Sequence, residues 1–255
     1  MTRRPKPPSA RKPALDREEA AFLQRYDASA FPHPSVAVDV ALLTADERGL
    51  RALVLRRDDH PHRGRWALPG TFVGMDEALD TAAMRALDQK GGLRGVFLEQ
   101  LYTFGAPRRD PRTRVITVAY YALVDAATLD AALPASGGIL AYLDVPWEGE
   151  TGGPVSASGA DRKNLRLAFD HQHILGAVVK RLRGKLDYSP IGYELLPERF
   201  TLRDLQRVHE TILGRPLNKD SFRRRMLATG ELESTGEREQ DVRYRPAELY
   251  RVKNV

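Results

Sequence analysis

The sequence predicts a mixed α/β domain joined to a C-terminal winged helix-turn-helix. Two observations carry that expectation. Between Val36 and Leu186 strand-like apolar runs alternate with helical spacing, whereas from Thr201 onward two short capped helices are followed by strand-like pieces around a charged loop. A third observation narrows the chemistry: with no cysteine among 255 residues, disulfide scaffolds, thiolate zinc sites and cysteine nucleophiles are excluded.

Met1 to Leu15 is Pro/Arg-rich, cannot bury a core, and is expected to be a disordered basic tail. DREEAAFLQRYD then reads as a short helix. The β-branched run from Val36 and the run from Ala52, separated by the turn-like ADERG, predict a hairpin. After a polar loop ending in Pro69-Gly70, Leu79, Ala83 and Leu87 recur at helical spacing until Gly91 and Gly92 stop them. Further strands are expected at VFLEQLYTF and RVITVAYYALV. A long amphipathic helix is expected from about Asp161 to Leu186, carrying Leu165, Phe169, Ile174, Leu175, Val178 and Leu182. The domain boundary falls in DYSPIGYELLPERF, giving a 16–186 domain and a 187–255 domain. In the second, Thr201 caps TLRDLQRVHETIL with Asp204 completing a capping box, and Asn218 caps KDSFRRRMLAT. The closing ELESTGEREQDVRYRPAELYRV has the pattern of a wing.

Composition bounds the partners. A chain 42% hydrophobic and 29% charged is globular, and its apolar runs, such as Ala37 to Leu43, fall far short of the roughly 20 residues of a membrane helix. The start lacks the apolar stretch of a secretion signal, so a soluble cytoplasmic protein without membrane contact is expected. Residues 1–15 carry +5, residues 16–179 carry −4, and residues 180–255 carry +5. Cationic ends suit a nucleic-acid partner, and they equally suit plain solvation of a surface.

The stretch LPGTFVGMDEALDTAAMRALDQKGGL, Leu68 to Leu93, resembles the Nudix box without a gap. Glu77 takes its first glutamate, Arg85 its arginine, Leu87 its aliphatic position, and Gly92 with Leu93 its close. Thr71 stands where the opening glycine belongs, and Ala86, Gln89 and Lys90 stand where three carboxylates belong. On a helix those positions share a face, where carboxylates would gather Mg²⁺ to neutralise pyrophosphate and activate water. A methyl, an amide and an ammonium cannot do so. The sequence therefore predicts no metal-dependent hydrolysis, no catalytic residue and no cofactor. Glu77 and Arg85 are expected to pair and stiffen the loop, with a direct ligand contact as the alternative. His60 and His62 form an HxH without a third ligand nearby in sequence.

Over Tyr26 to Arg251, through FPHPSVAVDVALL, RWALPG, LEQLYTFGAPRRDPRTRVITVAYYAL, LAFDH, FRRRMLATGELE and RPAELYR, the chain resembles the Nudix-related transcriptional regulators of NAD metabolism. The resemblance implies an α+β sandwich, a mixed sheet between helices, fused to a winged helix-turn-helix. It implies a homodimer that represses NAD biosynthesis or salvage genes on double-stranded operator DNA and releases it on binding ADP-ribose or a related nucleotide. ADP-ribose needs cations for its pyrophosphate and a stacking surface for adenine. Arg56, Arg57, Arg108 and Arg109 are the candidate cations. Trp66 and Phe72 are the candidate walls, Trp66 equally suiting plain loop packing.

For DNA, Phe222 and Met226 are expected to face inward on the recognition helix, with Lys219, Arg223 and Arg224 pointing away and Ser221 and Arg225 flanking them. Arg243, Tyr244 and Arg245 on the wing are candidates for phosphate, as is the basic tail from Arg3 to Lys12, unless the tail is an inert extension. Two alternatives stay open. One is an active Nudix hydrolase of ADP-ribose-like dinucleotides that recruits Glu99 or Asp110 and carries an accessory nucleic-acid module. The other is an RNA-binding or scaffolding protein using the winged domain.

Overall fold

The computed structural model describes residues 16–186, 189–240 and 245–253. It divides into two units, one ending at His33 and one beginning at Pro34. In the first, the expected helix α1 (Arg17–Arg25) is capped by the Asp16 carboxylate, which accepts the Glu19 N–H.

The second unit begins with β1 (Ser35–Asp46) and β2 (Gly49–Arg56), the expected hairpin. The short β3 (Trp66–Ala67) and β4 (Gly70–Phe72) pair with β2 and β1 respectively. The box helix α2 (Leu79–Ala86) widens into a single π-type turn over Leu87–Gly91, and Gly92, at φ 70°, ends it in the left-handed conformation that glycine adopts without strain. Next come β5 (Glu99–Phe104), β6 (Val115–Leu123), α3 (Ala126–Ser136), β7 (Ile139–Asp144), β8 (Ser156–Ser158), β9 (Asn164–Leu165) and α4 (His171–Lys185). The sheet runs β5-β6-β1-β2-β7-β8-β9 and is mixed, because β1 lies parallel to β6 and antiparallel to β2.

Period-two alternation decides which face each β1 residue serves. Val38, Val40 and Leu42 meet α2 and α3 through Ala82, Ala83, Ala86 and Leu129. Ala41 and Leu43 meet α4 through Ile174, Leu175, Val178 and Leu182. Both faces are covered, which is why β1 reads as one unbroken apolar run. Each of these large side chains, fully buried, contributes roughly 1.5–3 kcal/mol by leaving water.

The long helix expected from Asp161 is shorter than its periodicity implies. Asn164–Leu165 instead pairs with β8, and Leu167 forms a bridge to Trp66. Phe169 then takes φ 50°, a left-handed value that breaks any helix before Asp170. Sheet pairing at 164–167 overrides helical spacing.

The C-terminal region holds β10 (Phe200–Thr201), α5 (Leu202–Leu213), α6 (Lys219–Ala228), β11 (Leu232–Arg238) and β12 (Glu248–Val252), with a three-stranded sheet ordered β10-β12-β11. The Thr201/Asp204 capping box is formed, as is the Asn218 cap. Phe222 and Met226 are buried with Leu205 and Tyr250. Helix α5 has a second apolar face: Val208 and Ile212 belong to the core beneath α4. At that junction the buried Arg183 of α4 donates to the carbonyls of Ile212, Trp147 and Gly149 at 2.8–3.0 Å, its guanidinium 4.8 Å from the Trp147 ring. Arg183→Ala leaves three carbonyls short of a donor, and an unmet buried polar group costs about 1–3 kcal/mol. The expected result is a loss of about 3 kcal/mol, or roughly 6–12 °C in Tm by thermal melting. A shift under about 2 °C would refute this role.

Candidate functional site

A cavity of about 780 Å³ lies among the start of β1, the end of β2, the β3–β4 loop, the end of the box helix and the loop around Arg109. One wall is a buried ionic network. Arg109 donates from Nε and Nη2 to the two Asp170 oxygens at 2.9 and 2.7 Å, and from Nη2 to Asp39 Oδ2 at 3.3 Å. Burial opposes the Arg109 charge, but the two carboxylates outweigh it and its pKa is raised. His171, the first residue of α4, accepts the Leu68 N–H on Nδ1 at 2.9 Å, so its proton sits on Nε2, 3.6 Å from Asp39 Oδ1. Burial holds its pKa below the ordinary histidine value. Gly70 permits the close approach here, since a Cβ on it would lie 2.3 Å from Asp39 Oδ1.

The aromatic wall comes from Phe72 and Phe169. Arg112 stands 5.2 Å from the Phe72 ring centre and 5.9 Å from that of Phe169, and Arg57 stands 4.9 Å from Phe169, all within cation–π range. Asp110 holds Arg112 in place with hydrogen bonds of 2.7 and 3.0 Å. The left-handed backbone of Phe169 is the kind of local strain that collects at functional sites.

Of the ligand residues expected from sequence, Arg56, Arg57, Phe72 and Arg109 line this cavity. Trp66, Glu77, Arg85 and Arg108 do not. Trp66 packs against the core on the α4 side, which answers to the loop-packing alternative. Arg108 is exposed while its neighbour Arg109 turns inward. Glu77 and Arg85 form a bidentate pair at 2.8 and 2.7 Å, with Arg85 also donating to Thr71 Oγ1 and the Phe72 carbonyl, so the pair fastens the loop to the helix. Sequence reasoning missed Asp39, Arg112, Phe169, Asp170 and His171 as members of this site.

The Arg85 hydrogen bonds, with help from the Gly74 N–H, hold the Glu77 carboxyl down at about 2, against an ordinary 4.5. A depressed acid stabilises the fold above its unfolded pKa, and the contribution fades as pH falls toward the folded value. The Tm gap between wild type and Glu77→Gln is therefore expected to be constant from neutral pH to about 5 and to close between about 4.5 and 2. A gap unchanged across that window would contradict the assignment.

The donor set does not fit Mg²⁺. Ala86 is buried in the α2 core, while Gln89 and Lys90 face the cavity, and the Lys90 ammonium donates to the Gly70 carbonyl at 2.5 Å. Among the described residues no three His, Asp or Glu side chains gather as a cation would require. Of the carboxylates that an active hydrolase would recruit, Glu99 pairs with Lys185 and Arg181 and does not line the cavity, and Asp110 is engaged by Arg112.

A second concavity, of about 930 Å³, lies among α5, the start of α6 and the wing strands. It gathers Lys219, Arg223 and Arg245, as well as Arg203, Arg207 and Arg238, which the sequence pattern did not single out. Ser221, Arg224 and Arg225 are exposed outside its lining, and Arg243 and Tyr244 lie outside the described residues. Arg203 and Arg207, four apart on a capped helix, were available as a helical stripe. No helix among the described residues is long and apolar enough to cross a membrane.

Both halves have relatives. Residues 33–145 match the model of the NUDIX domain, and residues 192–252 match that of the NrtR DNA-binding winged helix domain. Over 235 residues the chain is 37% identical to the ADPR responsive transcriptional repressor NtrR of Acinetobacter baylyi, covering 91% of this chain and 88% of that one. An ADP-ribose pyrophosphatase of Methanocaldococcus jannaschii is 32% identical over 56% of this chain and 72% of its own. The crystal structure of Shewanella oneidensis NrtR complexed with a 27mer DNA superposes with a TM-score of 0.69 at 34% identity, covering 86% of this chain and 93% of that one. A Nudix core and an attached winged helix are thus shared along nearly the whole length, and the chain belongs to the NrtR family of Nudix-related transcriptional repressors.

Proposed function

We propose that the protein is a ligand-responsive repressor: the winged domain, from about residue 187, holds double-stranded operator DNA, and the Nudix-like domain binds ADP-ribose without cleaving it. The observation that carries this reading is the cavity itself, rich in guanidinium groups and aromatic rings yet without a metal-binding carboxylate set among the described residues. Family membership supports the DNA half, and the Acinetobacter baylyi relative is named for its response to ADP-ribose. Ligand binding releases the DNA, the working form is a homodimer on a two-fold operator, and NAD biosynthesis or salvage genes are the targets.

One observation favours a second reading, in which the chain hydrolyses ADP-ribose as its Methanocaldococcus relative's name implies for that protein. The two separate in a single assay. Purified protein with Mg²⁺ and ADP-ribose is expected to release no AMP, and turnover at enzymatic speed would establish the hydrolase.

A further inference from the structure

Around the cavity Arg109 is matched by Asp170 and Asp39, and Arg112 by Asp110. Arg56, Asp58 and Asp59 also line it, as exposed residues. Arg57 and Lys90 reach carbonyls instead. Among the described residues neither makes an ion pair with a carboxylate. Arg57 donates Nε to the Pro61 carbonyl at 2.8 Å and Lys90 donates Nζ to the Gly70 carbonyl. Both line the cavity, each hydrogen-bonded to a carbonyl and not to a carboxylate, so with Arg56 the site presents three cations that make no ion pair among the described residues, against the exposed Asp58 and Asp59, a balance that favours an anion. The Lys90 pKa is also lowered, by desolvation first and by Arg57 next, with Asp39 pulling the other way, while the side chain keeps exposed surface.

Lys90 occupies a box position where a glutamate would hold the metal that meets a diphosphate. We propose that the Lys90 ammonium is the cavity's resident cation, touching the diphosphate of a nucleotide ligand directly, so that recognition needs no divalent metal. This deepens, and rests on, the reading of the cavity as a nucleotide-diphosphate site. A lysine suits the task as a compact point charge with rotatable donors on a flexible stem. The same substitution that removes a metal ligand thereby supplies the charge the metal would have brought.

The test is calorimetric titration of the full chain with ADP-ribose and, separately, inorganic pyrophosphate, each in EDTA and in Mg²⁺. Wild type is expected to bind ADP-ribose equally well in both buffers. Lys90→Met is expected to bind about ten- to a hundredfold more weakly, the range of one charge-assisted hydrogen bond. Lys90→Arg should retain most of the affinity. Lys90→Glu should bind more weakly than Lys90→Met in both buffers, because a lone carboxylate beside Ala86 and Gln89 repels the diphosphate without gathering Mg²⁺, a charge-dependent order that a merely structural lysine would not give. A wild-type requirement for Mg²⁺, or unchanged binding by Lys90→Met, overturns the inference and leaves the nucleotide reading intact. Metal-free, Lys90-dependent binding of pyrophosphate without ADP-ribose binding upholds the inference and removes ADP-ribose as ligand. Binding of neither probe overturns both.

Discussion

Replacing Arg223 and Arg224 together by alanine is expected to abolish sequence-specific retention of operator DNA while leaving the fold intact. Both side chains are exposed on α6, whose Phe222 and Met226 are buried beneath them, so the substitutions remove cations without opening the core. An arginine reading a guanine through paired hydrogen bonds gives about 1–3 kcal/mol of discrimination, so two amount to roughly 30-fold to 10⁴-fold. Arg238→Ala on the wing is the control. Removing a cation that neutralises a backbone phosphate weakens binding to all duplexes alike and lowers the salt slope by about one. Gel shifts on specific and scrambled duplexes separate the two patterns. Normal operator binding by the double variant would refute the assignment of α6 as the recognition helix.

The second large effect is expected at Arg109. Its side chain is 4% exposed, and its guanidinium holds two carboxylates from different elements, Asp39 on β1 and Asp170 at the head of α4. Arg109→Ala leaves Asp39 buried and Asp170 partly buried without their partner, a loss of up to about 3–5 kcal/mol. For a chain of this size that is roughly 6–20 °C in Tm. Arg109→Lys should restore little, because one ammonium cannot serve the paired Asp170 oxygens as the planar guanidinium does. Adding Asp170→Asn to Arg109→Ala should recover part of the loss by removing one of the stranded charges. Melting curves for the four proteins test this, and an Arg109→Ala shift within about 2 °C of wild type would sink it.

Local signals were legible where local chemistry decides. The capping box at Thr201, the Asn218 cap, the glycine ends of the helices and the box spacing all describe what the structure contains. Tertiary pairing was not legible. Leu165 and Phe169 fall at helical spacing, yet strand pairing at 164–165 and the Trp66–Leu167 bridge draw that stretch onto the sheet. That placement sets Phe169 and His171 against the cavity and Asp170 against Arg109 of its wall. Helix α3 escaped notice because its apolar residues form no one-sided stripe and its sequence contains a proline. Asp39 did leave a trace: a lone carboxylate within an apolar strand must find a partner, and Arg109 is that partner. Which arginine of GAPRRDPRTR turns inward depends on the path of the loop, and spacing does not encode it.

Whether nucleotide recognition in the Nudix cavity governs DNA binding is decided by fluorescence anisotropy on duplexes from the protein's own gene neighbourhood. ADP-ribose is titrated in EDTA and the nucleotide is then recovered and analysed. A retained duplex is expected to be released as ADP-ribose is added, with the ligand recovered whole. A duplex that stays bound at saturating ADP-ribose would contradict it.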